Sequence, residues 1–230
     1  MSYLWQEFNI KTFPAETLVF RNGVFCEELS DYKSAKLKNN TIIINRISDL
    51  PIHIIYIGEI TGDIDFNVDI IAPENKVIMT CKVFNKTPAF LNIFVKNTGK
   101  NSVFDGKIIV KNENSLKINA KAQHLCENTG IFIKTKVAAL KNSTSVLQGQ
   151  AVIEKNISDC DSDVSFTVMA DENAKVTMNP SQFINSVPKS AKHSASIYKP
   201  NDNQILYLRT AGLSGTEIKE VFENSFLEQD

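Results

Sequence analysis

Ile131-Phe132-Ile133-Lys134-Thr135-Lys136-Val137 alternates between two kinds of side chain at every step. In an extended strand successive side chains point to opposite faces. Residues 131, 133, 135 and 137 therefore share one face, while Phe132, Lys134 and Lys136 share the other. The stretch reads as a β-strand, and much of the chain reads like it. Apolar, β-branched runs recur at 52–57, 68–71, 77–79, 91–95, 107–110, 116–122, 146–153, 164–169 and 175–178. Asn, Lys, Asp and Gly punctuate them. Asn85, Asn97, Asn101, Asn112, Asn114, Asn142 and Asn156 mark corners, where Asn tolerates the left-handed conformation.

Two architectures accommodate many short strands at this spacing. One is an antiparallel sandwich or barrel. The other is a parallel β-helix, in which each coil stacks on the last and Asn fills the corners. Hairpin signals of the Asn-Gly type are rare after Gly23, which leans towards the β-helix, although no clean repeat period is visible. Near the N-terminus Phe13-Pro14 is expected to be extended. Residues 18–25 read as a hairpin about Asn22-Gly23. Ser30-Asp31 begins a turn or short helix.

From Ser190 the character changes. His193 precedes a Pro-Asn-Asp turn, and two amphipathic helical patterns follow. Asn201 or Asp202 caps the first, which runs through Leu208 and Arg209 and stops at Gly212. Ser214 and Glu217 have the capping-box spacing for the second. Its Ile218, Val221, Phe222, Ser225 and Phe226 fall on one face. That face either packs on the chain's own core or fills a groove on a partner. A β-helix has open ends whose strand edges must be covered, and a C-terminal helical element would cover one or offer a docking surface. The chain divides into an N-terminal lead-in segment (1–50), a β core (51–190) and a C-terminal helical segment (191–230).

The chain has 230 residues, enough to bury a real core. With 25 Lys+Arg against 26 Asp+Glu, the formal net charge of −1 points to neither nucleic acid nor an anionic membrane. No stretch is apolar enough for a secretory signal or a transmembrane helix. Cys26, Cys81, Cys126 and Cys160 are widely spaced, without a CxxC pair, as expected of separate thiols in a reducing cytoplasm.

Other constellations point to bland roles. Asp159-Cys160-Asp161-Ser162-Asp163 begins like a calcium loop, but Val164 stands where the loop needs Gly and Ala170 where it needs Glu. Asp63, Asp65 and Asp69 share a strand face and could serve a β-helical carbohydrate-active enzyme as acid and base, although a solvated strand shows the same pattern. His124 and Cys126 also share a face, without a third ligand. His53 reads as a partly buried histidine. There is no phosphate-binding Gly loop, GxSxG element or Cys–His nucleophile pair.

The C-terminal stretch resembles the SufD branch of the SufB/SufD family of iron–sulfur cluster assembly scaffolds. Asp202-Asn-Gln204-Ile-Leu-Tyr207-Leu208-Arg209 and Gly212 stand in the places of that family's helical element, with His193 upstream in register. Leu18-Val-Phe-Arg-Asn-Gly23-Val-Phe resembles its first strand. TSVLQGQAVI (144–153) and DENAKVTMNP (171–180) resemble its late coils. The resemblance selects between the two architectures, because the family fold is a right-handed parallel β-helix. It also implies a non-enzymatic, cytoplasmic scaffold that pairs with SufB and docks the ATPase SufC. Gln204, Tyr207, Leu208, Arg209, Ile218, Phe222 and Phe226 would carry SufC docking. His193 would lie at the SufB interface as a candidate ligand for a transient cluster, since neutral imidazole is a competent iron ligand. No cofactor is expected to stay bound to this chain alone, and a homodimer in isolation is the structural alternative. Ala191 replaces the Cys that SufD members often carry. Lys192 and Ser194 replace the Glu residues of SufB members, and Lys192 would repel a second cation. Family members usually carry a longer N-terminal helical domain, and the chain reads as a short form lacking most of it.

Overall fold

A computed structural model describes residues 16–228 of the chain. The expected extended stretch at Phe13-Pro14 lies outside the described residues. The strands are β1 (Glu16–Arg21), β2 (Val24–Phe25), β3 (Ala35–Lys38), β4 (Thr41–Ile44), β5 (Ile52–Ile70), β6 (Lys76–Asn97), β7 (Val103–Asn112), β8 (Ser115–His124), β9 (Gly130–Ala139), β10 (Thr144–Ile153), β11 (Asp161–Ala170), β12 (Lys175–Ile184) and β13 (Ser190–Tyr198). Two helices follow, α1 (Asp202–Thr210) and α2 (Gly215–Glu228).

Pairing from β5 onward is parallel; β5 pairs with β6 and β6 with β7, and beyond them each strand pairs with the one two places along the chain, giving the order β12-β10-β8-β6-β7-β9-β11-β13. That is a two-walled parallel β-helix of about six coils. Wall A stacks β1, the first half of β5, the first half of β6, then β7, β9, β11 and β13. Wall B stacks β4, the second halves of β5 and β6, then β8, β10 and β12. β5 and β6 bend round the corner and serve both walls. The antiparallel sandwich is thereby excluded. Among the described residues, antiparallel pairing is confined to the N-terminal β1–β2 and β3–β4 hairpins and an isolated Thr17–Asp31 bridge. The first turns on Asn22 (φ 51°) and Gly23 (φ 83°), as the Asn-Gly signal predicts.

The core lies between the walls, and strand alternation fills it in columns. Phe66, Ile93, Ala120, Gly149 and Pro180 form one inward column of wall B. The side chain shrinks from Phe66 to Gly149, beside which Phe166 of wall A fills the space. A Cβ on Gly149 would come within 2.8 Å of the Phe166 ring. Asn plays two parts. Asn101, Asn142 and Asn156 have positive φ at corners, as expected. Asn85, Asn97 and Asn112 instead sit fully buried and close backbone groups from within. Asn85 Nδ2 donates to Asn112 Oδ1 at 2.8 Å, one coil and 27 residues away.

The helices do not cap the open end. They lie along the outside of wall A, where Ile218, Phe222, Phe226 and Leu227 of α2 cover Ile109, Ala138 and Met169. No described helix is long and apolar enough to cross a membrane.

Candidate functional site

The last coil is where the fold stops satisfying itself. Among the described residues β12 pairs only with β10, and β13 only with β11, so each presents a free strand edge. Inward side chains that a further coil would cover lie open: Ile184, in register with the buried Ile153, is 40 % exposed, and Ile197, in register with the buried Val168, is 54 % exposed. His193 sits in this coil. Through the parallel register it ends the inward column Met79, Gly106, Ile133, Val164. Val164 is buried, whereas His193 is exposed because no coil follows it. Its ring therefore stands on the open end of the core rather than on a flank. Lys192 takes the opposite face of the strand, in register with Asp163. The expected repulsion by Lys192 is thus weakened by orientation and by a carboxylate across the ladder. Among the described residues no three His, Cys, Asp or Glu side chains are grouped to hold a metal. Any ion that His193 ligates must draw its remaining ligands from elsewhere.

The helical element is built as its sequence predicts. Asn201 caps α1 by accepting from Asn203 N–H at 2.9 Å, and Gln204 closes the capping box by accepting from Asn201 N–H at 3.1 Å. Gly212 (φ 91°) follows the end of α1. Ser214 and Glu217 close a second box, and Ser214's donors hold the Glu217 carboxyl below the usual carboxylate range.

The seven residues assigned to docking separate. Ile218, Phe222 and Phe226 are buried against wall A, so their apolar face is spent on the chain's own sheet. The Phe226 ring stacks on Tyr198 at 5.3 Å, and Lys136 Nζ donates to its carbonyl oxygen at 3.5 Å. Lys111 of β7 forms an ion pair with the buried Glu223, and Lys219 pairs with Asp171. Leu208 is half-buried against the same cluster, and Gln204 is occupied in its cap. Tyr207 and Arg209 are exposed, Tyr207 by 72 %. Leu206, not singled out from the sequence, stands beside Tyr207 and is 60 % exposed. Its signal was available: it is an apolar residue off the inward stripe of Ile205 and Leu208.

The remaining candidates resolve one by one. Asp65 lies on the outer face of wall B, accepting from Asn92 Nδ2 at 3.0 Å, and Asn119 Nδ2 in turn donates to Asn92 Oδ1 at 2.8 Å. Asp65 is thus the first rung of an exposed amide ladder. Asp159 takes a left-handed corner (φ 57°), and Cys160 beside it is buried. His53 is half-buried, and burial followed by Lys76 lowers its pKa. His124 is fully buried at a corner, with Nδ1 2.8 Å from Thr129 Oγ1. Thr129 Oγ1 also donates to the Cys126 carbonyl oxygen at 2.9 Å. Nε2 has no hydrogen-bond partner, and burial pushes the His124 pKa down to about 4. All four cysteines are free thiols. Burial raises Cys81 to about 12, which leaves it inert at neutral pH.

No curated protein matches the chain. A family does: residues 83–226 match SUF system FeS cluster assembly, SufBD core domain. The match runs from the middle of β6 through the terminal coil and both helices to Phe226. It covers more than half of the chain, which therefore belongs to the SufBD core-domain family of the SUF iron–sulfur cluster assembly system.

Proposed function

We propose that the chain is a SufD-type scaffold subunit: a non-enzymatic, cytoplasmic protein that pairs with SufB and docks the ATPase SufC. The observation that carries this reading is the unfinished terminal coil. Two free strand edges and an exposed apolar rim around His193 suit a partner that continues the β-structure. Family membership supplies the class of process, and the residues flanking His193 favour SufD over SufB. Docking of SufC falls to the exposed side of α1, to Leu206, Tyr207 and Arg209, because the apolar face of α2 is occupied. The cluster is cargo in this scheme. His193 contributes one imidazole to a site completed by SufB, and this chain alone retains no cofactor.

Co-expression with SufB and SufC from the same organism, followed by size-exclusion chromatography with mass determination, tests the proposal. A complex containing all three proteins is expected. A chain that elutes alone while SufB and SufC pair without it sinks the reading. A stable homodimer indifferent to both would replace it with the structural alternative.

A further inference from the structure

The outer face of wall B carries its charge in separated rows. Asp63 and Asp65 of β5 are exposed on it, Lys117 and Lys121 of β8 lie on the same face, and β6 runs between them. Asp69 meets Lys96 across the ladder, but Asp63 and Asp65 meet Phe90 and Asn92. Two strand spacings, about 10 Å, separate the acidic strand from the lysine strand. An ion pair needs contact within about 4 Å, and among the described residues none of these four charges has one. Their other contacts run along the face. Asn92 Nδ2 donates to Asp65 Oδ1, and the Lys117 and Lys121 ammonium groups sit over the Phe90 and Phe94 rings, each 5.2 Å from the centroid. A ring quadrupole attracts an ammonium group without neutralising it. The lysines are therefore partnered and still fully charged.

The arrangement is self-complementary. A two-fold axis laid along the second half of β6 sets β5 of each copy over β8 of the other. Asp63, Phe90 and Lys117 share one register column, so Asp63 then faces Lys117 of the other copy. Asp65 and Asn119 share the next column, which places Asp65 between the other copy's Lys117 and Lys121. The same axis carries β4 over β10. Ile43 and Val152 share a column through Asp69, Lys96 and Gln123, so the axis sets one apolar side chain against the other. Phe90 and Phe94 lie on the axis and meet their own counterparts. An in-plane axis perpendicular to the strands would instead lay acid on acid. We propose that the outer face of wall B binds a second copy of this chain, giving a two-fold dimer with reciprocal Asp–Lys pairs around an aromatic centre. Five strands at about 4.8 Å spacing and seven residues at about 3.3 Å make a patch of roughly 500 Å² per copy. Roughly 1,000 Å² in total is near the lower limit for a specific interface, which fits a reversible dimer. The helices lie on wall A and the free strand edges at the terminal coil. The dimer therefore coexists with the complex proposed above, and its failure leaves that reading untouched.

Sedimentation equilibrium of the purified full chain over a concentration series tests the interface. A monomer–dimer equilibrium is expected, with Kd on the order of 10 μM and weakening as salt screens the pairs. Asp63→Lys/Asp65→Lys and Lys117→Asp/Lys121→Asp each set like charges face to face, and each should weaken self-association by roughly tenfold or more. Mixed one to one, the two reversed variants should form a heterodimer about as tight as the parent dimer, because opposite charges then meet at both contacts. Asp63→Asn/Asp65→Asn removes the pairs without adding repulsion, and its several-fold loss keeps the test open should a reversed variant fail to fold. A monomer at every concentration, or reversed variants that fold but do not recover on mixing, overturns the proposal. So does a dimer indifferent to the reversals, which would move self-association to the terminal coil.

Discussion

The Lys111 ammonium and the Glu223 carboxylate form an ion pair beneath α2, joining the outside of β7 to the helix. The Glu223 side chain is almost wholly buried, and that of Lys111 keeps about a quarter of its exposure (25 %). Removing one partner from a buried pair strands the other, whereas replacing both with apolar groups is often neutral. Glu223→Ala is therefore expected to destabilise the chain by about 1–3 kcal/mol, less than a fully buried pair because Lys111 can turn to water. Lys111→Met/Glu223→Leu should recover most of that loss. Urea unfolding of the two single variants and the double variant gives the coupling. Additive losses would show that the pair holds nothing.

Asn112 is hydrogen-bonded more fully than the buried Asn85 or Asn97. Its Oδ1 accepts from Asn85 Nδ2 and Asn114 N–H, while its Nδ2 donates to Thr144 O and Ser145 Oγ. Asn112→Ala would leave several of these groups without water or partner, at a cost of about 2–3 kcal/mol. Asn101→Gly, at an exposed corner with φ 59°, should change stability by only about 0.5 kcal/mol. Comparable losses from the two substitutions would show that burial does not distinguish the two roles of Asn.

Period-two alternation, visible in 131–137, identified strands correctly because a two-sided environment imprints it locally. The coil period was not legible. Register partners on successive coils are 27 residues apart at Val103–Gly130 and 31 at Gly130–Asp161, since corner loops vary in length. Local pattern also could not separate corner Asn from buried Asn, because both interrupt apolar runs. The second helix showed its apolar face but not the surface that covers it. That surface is assembled from Ile109, Ala138 and Met169 on three different coils. Glu223, beside Phe222 and close to Phe226, was the available hint that a lysine waited on the sheet.

The His124 pKa carries a pH prediction. Its folded value of about 4 lies below its ordinary value of 6.5, so between these pH values the unfolded chain binds a proton that the folded chain refuses. Stability is fully present above pH about 6.5 and falls as the solution is acidified towards pH 4, by roughly 3 kcal/mol from this group at 1.36 kcal/mol per unit. His53, also lowered, acts in the same direction. His124→Gln should flatten the slope between about pH 5 and 6.5, above the range where carboxylates contribute. An unchanged slope in that variant would assign the acid sensitivity elsewhere.

The exposed side of α1 and the covered side of α2 should respond differently to substitution. Tyr207→Ala removes a side chain with little packing, so stability should change by no more than about 0.5 kcal/mol. Capture of SufC is expected to weaken about tenfold or more if Tyr207 is an anchor. Phe222→Asp would bury a charge against Ile109 and Ala138 and unseat α2, costing a few kcal/mol, so it would reduce SufC capture whichever face docks. Binding measured by surface plasmon resonance for Leu206→Asp and Tyr207→Ala is the clean comparison. Unimpaired capture by both, with α2 intact by circular dichroism, would move docking off α1.

His193 offers the sharpest separation of folding from cluster chemistry. Its ring ends an inward column, yet nothing packs over it, so His193→Ala forfeits almost no burial and should leave stability within about 0.5 kcal/mol. Assembly with SufB and SufC should persist, because the free edges of β12 and β13 are backbone features. If the imidazole helps hold the nascent cluster, iron and sulfide recovered on the complex should fall several-fold, read by chemical analysis and the visible absorption of the cluster. Lys192→Glu changes charge by two units at the adjacent residue but on the other face of the strand, so it should alter cluster yield far less. Equal yield from parent and His193→Ala complexes would remove His193 from the site. A loss in Lys192→Glu as large as that in His193→Ala would show that local charge, not the ring at the end of its column, governs the cluster.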